Sequence, residues 1–222
     1  MILITGGFGK LGKSLTNEIK NKKFILIKRG NKYKKINDNI ICLNLNDKRH
    51  LKRLFINYNF TSLIHFAVTR NPLRIKTIRD TNTLIKDTLI SINLILEMKN
   101  VKKIVLASSA SIFQLKSLPD KVDRKLIVNN IIKFFDDKNN HKKVIIKNYF
   151  EKKRTKLKIN PLFHKNDNMR LNGSNKLINE IFFVNYAIEK KIKIMIIRPS
   201  TIIETLKEKK DLLNKFSKLK KD

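Results

Sequence analysis

The sequence predicts an α/β fold, a doubly wound parallel sheet flanked by helices. Three observations lead there. An apolar run at residues 2–5 stops abruptly at Gly6 and Gly7 and gives way to an amphipathic stretch at 13–20. Short buried runs then alternate with helical periodicity along most of the chain, which predicts parallel strands joined by right-handed crossovers. Finally, 222 residues, 41% of them hydrophobic, suffice for one large domain with its own core.

The first strand is residues 2–5, and the glycines at 6, 9 and 12 follow it. Gly6 permits a tight turn, Gly9 lets a phosphate approach the backbone, and Gly12 lets a helix pack closely on the strand. The helix that follows would aim its free N–H groups and positive dipole end at a diphosphate. A strand, this glycine spacing and a helix together predict dinucleotide binding.

The second strand is 23–28. At its end, where a carboxylate would hydrogen-bond the ribose of NAD, stand Lys28 and Arg29. Two cations suit a 2′-phosphate better, so NADP is favoured over NAD. A third strand at 39–44 leads through Asp47 to a helix at 48–58. A fourth strand at 62–66 precedes a long helix at 81–98, and a fifth at 103–107 ends in Ser108-Ser109-Ala110-Ser111. Residues 115–171 break the rhythm: they are polar and basic, with a helical patch at 125–135 and a strand-like run at 144–146. With too few apolar residues for a core of their own, they read as a surface insertion. A helix at 174–190, a strand at 191–198 and a lysine-rich tail at 205–222 complete the chain.

The formal net charge of +32 raises the question of nucleic acid. Lysines outnumber arginines about four to one and are spread along the whole chain. No arginine fork, aromatic platform or recognised module accompanies them, so they read as solvated faces and no specific nucleic-acid partner is expected. The one cysteine, Cys42, excludes an internal disulfide and suits a reducing compartment. No signal peptide and no span-length apolar run are read, so the expected setting is cytoplasmic with no membrane. The histidines at 50, 65, 141 and 164 lack metal-ligand spacing, so no metal is expected. His65, at a buried strand end, reads as a packed histidine.

Several motifs line up in order. Thr5-Gly6-Gly7-Phe8-Gly9-Lys10-Leu11-Gly12 fits Thr-Gly-x-x-Gly-x-x-Gly, His65-Phe66-Ala67-Val68 follows the fourth strand, and Ser108 to Phe113 follows the fifth. Lys176 to Glu180 opens the next helix, and Arg198-Pro199-Ser200 follows the last strand. Together they resemble the extended short-chain dehydrogenase/reductases, specifically the NAD-dependent epimerase/dehydratase family acting on nucleotide-sugars, over residues 1–114 and about 172–204. The resemblance implies a Rossmann-type sheet in strand order 3-2-1-4-5-6, with residues 1–204 as the NAD(P)-binding domain. It implies that Gly6, Gly9 and Gly12 cradle the diphosphate with Phe8, Lys10 and Leu11 beside it, and that Asn44 contacts the adenine. By the same resemblance Ala67 and Val68 line the nicotinamide ribose and diphosphate, Ser109 orients the substrate, and Lys176 holds the nicotinamide ribose. A homodimer through the helices at 81–98 and 174–190 is implied likewise.

The departures are specific. The family's base is a tyrosine four residues before the lysine, but Asn172 stands there, and an amide is no general base. Tyr149 and Lys153 repeat the spacing without the helix and Arg-Pro strand that should follow, and are read as coincidence. Glu204 replaces a common glycine, and the smaller substrate-binding domain is expected to be vestigial. Two functions follow: a nucleotide-sugar epimerase, dehydratase or reductase working by hydride transfer at a sugar carbon, or an inactive dinucleotide-binding module.

Overall fold

The computed structural model describes residues 1–67, 81–113, 121–137, 143–149, 159, 167–199 and 201–203. In chain order these form β1 (Ile2–Thr5), α1 (Lys10–Glu18), β2 (Phe24–Arg29), β3 (Lys34–Asn37), β4 (Ile40–Leu43), α2 (Lys48–Asn57) and β5 (Ser62–His65). Then come α3 (Thr81–Glu97), β6 (Lys103–Ala107), a single 3-10 turn at Ala110–Ile112, β7 (Lys121–Asp123), α4 (Arg124–Asp136) and β8 (Val144–Tyr149). The described chain ends with α5 (Asp167–Glu189), β9 (Lys193–Pro199) and β10 (Thr201–Ile203).

Eight strands make one sheet in the order β3-β4-β2-β1-β5-β6-β9-β8. Every neighbouring pair is parallel except β3 with β4. The six strands read from the sequence are β4-β2-β1-β5-β6-β9, in the expected order. The strands are apolar on both faces because helices cover both. Leu3, Ile104 and Leu106 point to one face, under α2, α3 and α5. Ile4, Val105 and Met195 point to the other, where Leu11 and Leu15 of α1 meet Ile127 and Ile131 of α4.

Two features differ from expectation at the edges of the sheet. A tight reversal adds β3 antiparallel to β4, with Asn39 N–H donating to Asn37 Oδ1 across the turn. At the far edge, the run at 144–146 is part of a six-residue strand paired with β9 from Val144↔Ile194 to Tyr149↔Pro199. The described part of 115–171 is therefore not a surface insertion. Ile127 and Ile131 are fully buried, and β8 extends the sheet. Their apolar residues build no separate core because they complete the common one. The chain leaves β6, crosses by α4 to the outer edge, and returns by α5 on the opposite face to lay β9 between β6 and β8. A reversal of travel calls for that change of face if crossovers keep one hand. β7 and β10 form a separate parallel pair.

α5 starts at Asp167, earlier than the expected 174, so Lys176 lies well inside the helix rather than at its opening. The tail at 205–222, with Glu204, lies outside the described residues.

Candidate functional site

At the carboxyl ends of β1, β2, β4 and β5 lies a cleft of about 270 Å³. Gly6, Phe8, Gly9, Arg29, Asn44, Asn46 and Ala67 line it, among others. Its floor is the glycine turn. Gly6 has a φ of +71°, and a Cβ there would lie 2.5 Å from the Phe66 carbonyl carbon. At Gly12 a Cβ would come within 2.4 Å of Gly7 Cα. Both positions therefore need glycine for internal reasons. Gly9 differs: a Cβ there would meet only Gly6 O, at 3.3 Å. Gly9 is the N-cap of α1, and no side chain caps that helix end. The helix thus starts at the mouth of the cleft without a capping side chain from its own N-cap residue.

The expected residues divide by strand alternation. Ile27 and Arg29 share the cleft side of β2, whereas Lys28 takes the other side and is not part of the lining. Leu11 is buried in the α1–α4 core, so only its backbone is available to a ligand. Lys10 is exposed, and its carbonyl accepts from Arg124 of α4 at 3.0 Å. Asn44 Oδ1 accepts from Asn46 N–H, closing an Asx turn. Asp47 then caps α2 by accepting from Arg49 N–H, and the Arg49 guanidinium holds its carboxyl down to about 2. Asn46 Oδ1 is buried and accepts no hydrogen bond, which the sequence alone did not flag. Val68 lies outside the described residues.

The next strand end carries a different set. Lys176 Nζ donates to Ala107 O at 3.3 Å, at the end of β6. Burial holds its pKa below the usual lysine value, while Asp87 of α3 and Glu180 oppose the shift. Glu180 also accepts both arms of the Arg198 guanidinium, with Nε to Oε1 at 3.0 Å, in a buried pair that fixes α5 to β9. His65 is buried against Phe183. Thr5 Oγ1 lies 2.6 Å from His65 Nδ1 and accepts from Ala67 N–H at 3.4 Å. Burial, with the Lys176 charge, pushes His65 down to about 3, so it is a neutral core residue.

Ser109 and Asn172 are joined through Ser111, a residue the sequence reading left aside. Ser109 Oγ accepts from Ser111 N–H at 3.1 Å and from Ser111 Oγ–H at 3.0 Å. Ser111 Oγ accepts from Asn172 Nδ2 at 2.9 Å. The signal for this link was the spacing of two hydroxyls around a turn, which is too common to single out. Tyr149 does not join them: it is buried in the α1–α4 core, and burial pushes its hydroxyl up to about 12. Lys153, His141 and His164 lie outside the described residues. Among the described residues no group of three or more His, Cys, Asp or Glu could hold a metal ion, and no helix is long and apolar enough to cross a membrane.

Fold and site together define a class, the doubly wound α/β domains with a glycine turn at the first strand–helix junction. A profile of the NAD dependent epimerase/dehydratase family matches residues 2–126, more than half of the chain, and the chain belongs to that family. No curated protein matches it significantly. Among solved structures it is similar to a UDP-glucose 4-epimerase of Thermotoga maritima with UDP-glucose, at 15% identity and a TM-score of 0.53, covering 89% of this chain and 54% of that one. The UDP-glucose 4-epimerase of Thermus thermophilus in complex with NAD gives 14% and 0.55, with 89% and 54% covered. The Bifidobacterium longum enzyme in complex with NAD+ and UDP gives 19% and 0.53, with 89% and 52% covered. The chain spans about half the length of these structures.

Proposed function

We propose that the chain binds NAD or NADP with the diphosphate over the N-terminal end of α1, and that it takes a nucleotide-sugar beside Ser109 and Lys176. The observation that carries this reading is Gly9. Packing inside the protein explains glycine at 6 and 12 but not at 9, where a Cβ would touch only one carbonyl. A close approach by an anion from outside does explain it. Two further features support the reading. The buried, unpaired Asn46 Oδ1 suits the amino group of an adenine. Arg29, on the cleft side of β2, supports NADP over NAD. Nicotinamide, when bound, would exchange a hydride with a sugar carbon. Lys176 would hold its ribose by charge and hydrogen bond, and Ser109 would orient the sugar.

Titration with NADPH and NADH, followed by nicotinamide fluorescence, tests this. Enhancement is expected in the unaltered chain, and Gly9→Val should weaken affinity about tenfold or more, or about 1.4 kcal/mol, at an unchanged thermal midpoint. Absence of enhancement with both nucleotides, or unaltered affinity in the variant, would overturn the reading.

A second reading, binding without turnover, is favoured by Asn172. It occupies the position of the family's base and spends its amide on Ser111. Incubation with NADP and UDP-glucose separates the two. NADPH absorbance that appears with time supports the enzyme, whereas fluorescence enhancement without any such absorbance supports the module.

A homodimer through α3 and α5 belongs to the same proposal. Ile85, Leu89 and Leu96 recur on one exposed stripe of α3, and Ile178, Ile181 and Ile188 on one of α5. A second copy would cover both stripes by forming four packed helices. Ile181→Glu should halve the mass measured by light scattering; a monomeric unaltered chain would refute this.

A further inference from the structure

The chain of hydrogen bonds from Asn172 to Ser109 has a direction. Asn172 Nδ2 donates to Ser111 Oγ, and Ser111 Oγ–H donates to Ser109 Oγ. Ser109 Oγ then receives two hydrogen bonds, from the N–H and the hydroxyl of Ser111. A serine oxygen has two lone pairs, so both are taken and its own O–H is the group left to meet a ligand. Asn172 is largely buried, on the second turn of α5, and Ser111 is fully buried in the turn after β6, which keeps water from reversing the order.

We propose that Asn172, acting through Ser111, sets Ser109 as a hydrogen-bond donor, so that the site takes a carbonyl oxygen in preference to the matching alcohol. A ketone only accepts, and Ser109 supplies its donor. An alcohol must also place its own proton, and the Ser109 oxygen, with both lone pairs taken, cannot receive it. The preferred ligand is accordingly the keto form of the nucleotide-sugar. Asn172 is a positioning residue here: it acts on the ligand through two hydroxyls. The proposal rests on the nucleotide-sugar reading given above and adds the oxidation state of the sugar to it.

The test compares UDP-4-keto-6-deoxyglucose with UDP-6-deoxyglucose, which differ only at carbon 4, by calorimetric titration of the full chain in the presence of NADPH. The ketone should bind about tenfold more tightly, the worth of one hydrogen bond whose partner would otherwise go unpaired. Ser111→Ala should bring the two affinities within about twofold, Ser111→Thr should restore the ratio, and Asn172→Asp, which only accepts, should abolish it. An alcohol bound as tightly as the ketone, or a ratio that survives Ser111→Ala, overturns the proposal. If NADPH binds and neither sugar does, the nucleotide-sugar reading has failed separately. Whether Asn172 holds Ser111 is then decided by the side-chain amide signals of Asn172 in a nitrogen–proton spectrum. Protection from exchange that is lost in Ser111→Ala upholds it, and exchange at the rate of an exposed amide refutes it.

Discussion

The two ends of the site are built from different materials. At the glycine turn the working parts are backbone: three glycines, a helix start without a side-chain cap, and an Asx turn at Asn44. At the ends of β6 and β9 they are side chains: Asn172, Ser111 and Ser109 in one chain, Arg198 and Glu180 in a buried pair, and Lys176 on Ala107 O within the field of Asp87 and Glu180. A backbone site tolerates little change, because main-chain atoms in contact cannot repack around an added carbon. A side-chain network can be rewired residue by residue, and Asn172, Ser111 and Ser109 form such a network.

Substitutions at each end sharpen this contrast. Gly12→Val should have the largest effect. Its Cβ would collide with Gly7 Cα and Gly6 O, both backbone, so a loss of more than about 4 kcal/mol and no cooperative thermal transition are expected. A well-folded Gly12→Val protein would break the comparison. Glu180→Gln comes next. It leaves the buried Arg198 guanidinium without a counter-charge, which should cost about 3 kcal/mol in urea unfolding while the fold survives. His65 touches both ends through Thr5 and the charge of Lys176. Its pKa is about 3 folded and 6.5 unfolded, so between those values only the unfolded chain takes up the proton. Stability should therefore fall as pH drops through that window, by up to about 1.4 kcal/mol per pH unit, and His65 should contribute no slope above it. His65→Asn should remove that part of the slope. Equal pH profiles for variant and parent would show that the two ends are not coupled through this ring.

Much of the fold was legible because its first half is local. β1, β4 and β5 are each followed directly by a helix, and the apolar runs at 2–5, 62–66 and 103–107 needed only their own composition to be recognised. The second half was not. Val144-Ile145-Ile146 is short, and its register partners lie some fifty residues later in β9, so nothing nearby in sequence marks it as a sheet edge. The same division holds in the site. Gly6, Gly9 and Gly12 announce themselves by spacing, and Arg29 by its place at a strand end. Lys28 was indistinguishable from Arg29 until the alternation of β2 put the two on opposite faces. Ser111 and Asn46 emerged only from their contacts, since a hydroxyl or an amide two residues from another is commonplace in turns.

The placement of β9 between β6 and β8 also dictates an order of assembly. As the polypeptide emerges from the ribosome, β8 is complete some forty residues before its ladder neighbour β9 exists. Until residues 193–199 arrive, the half-made protein exposes two raw strand margins, one on each side of a gap. Such margins recruit other chains, so nascent or prematurely terminated forms of this molecule are the ones that chaperones must shield.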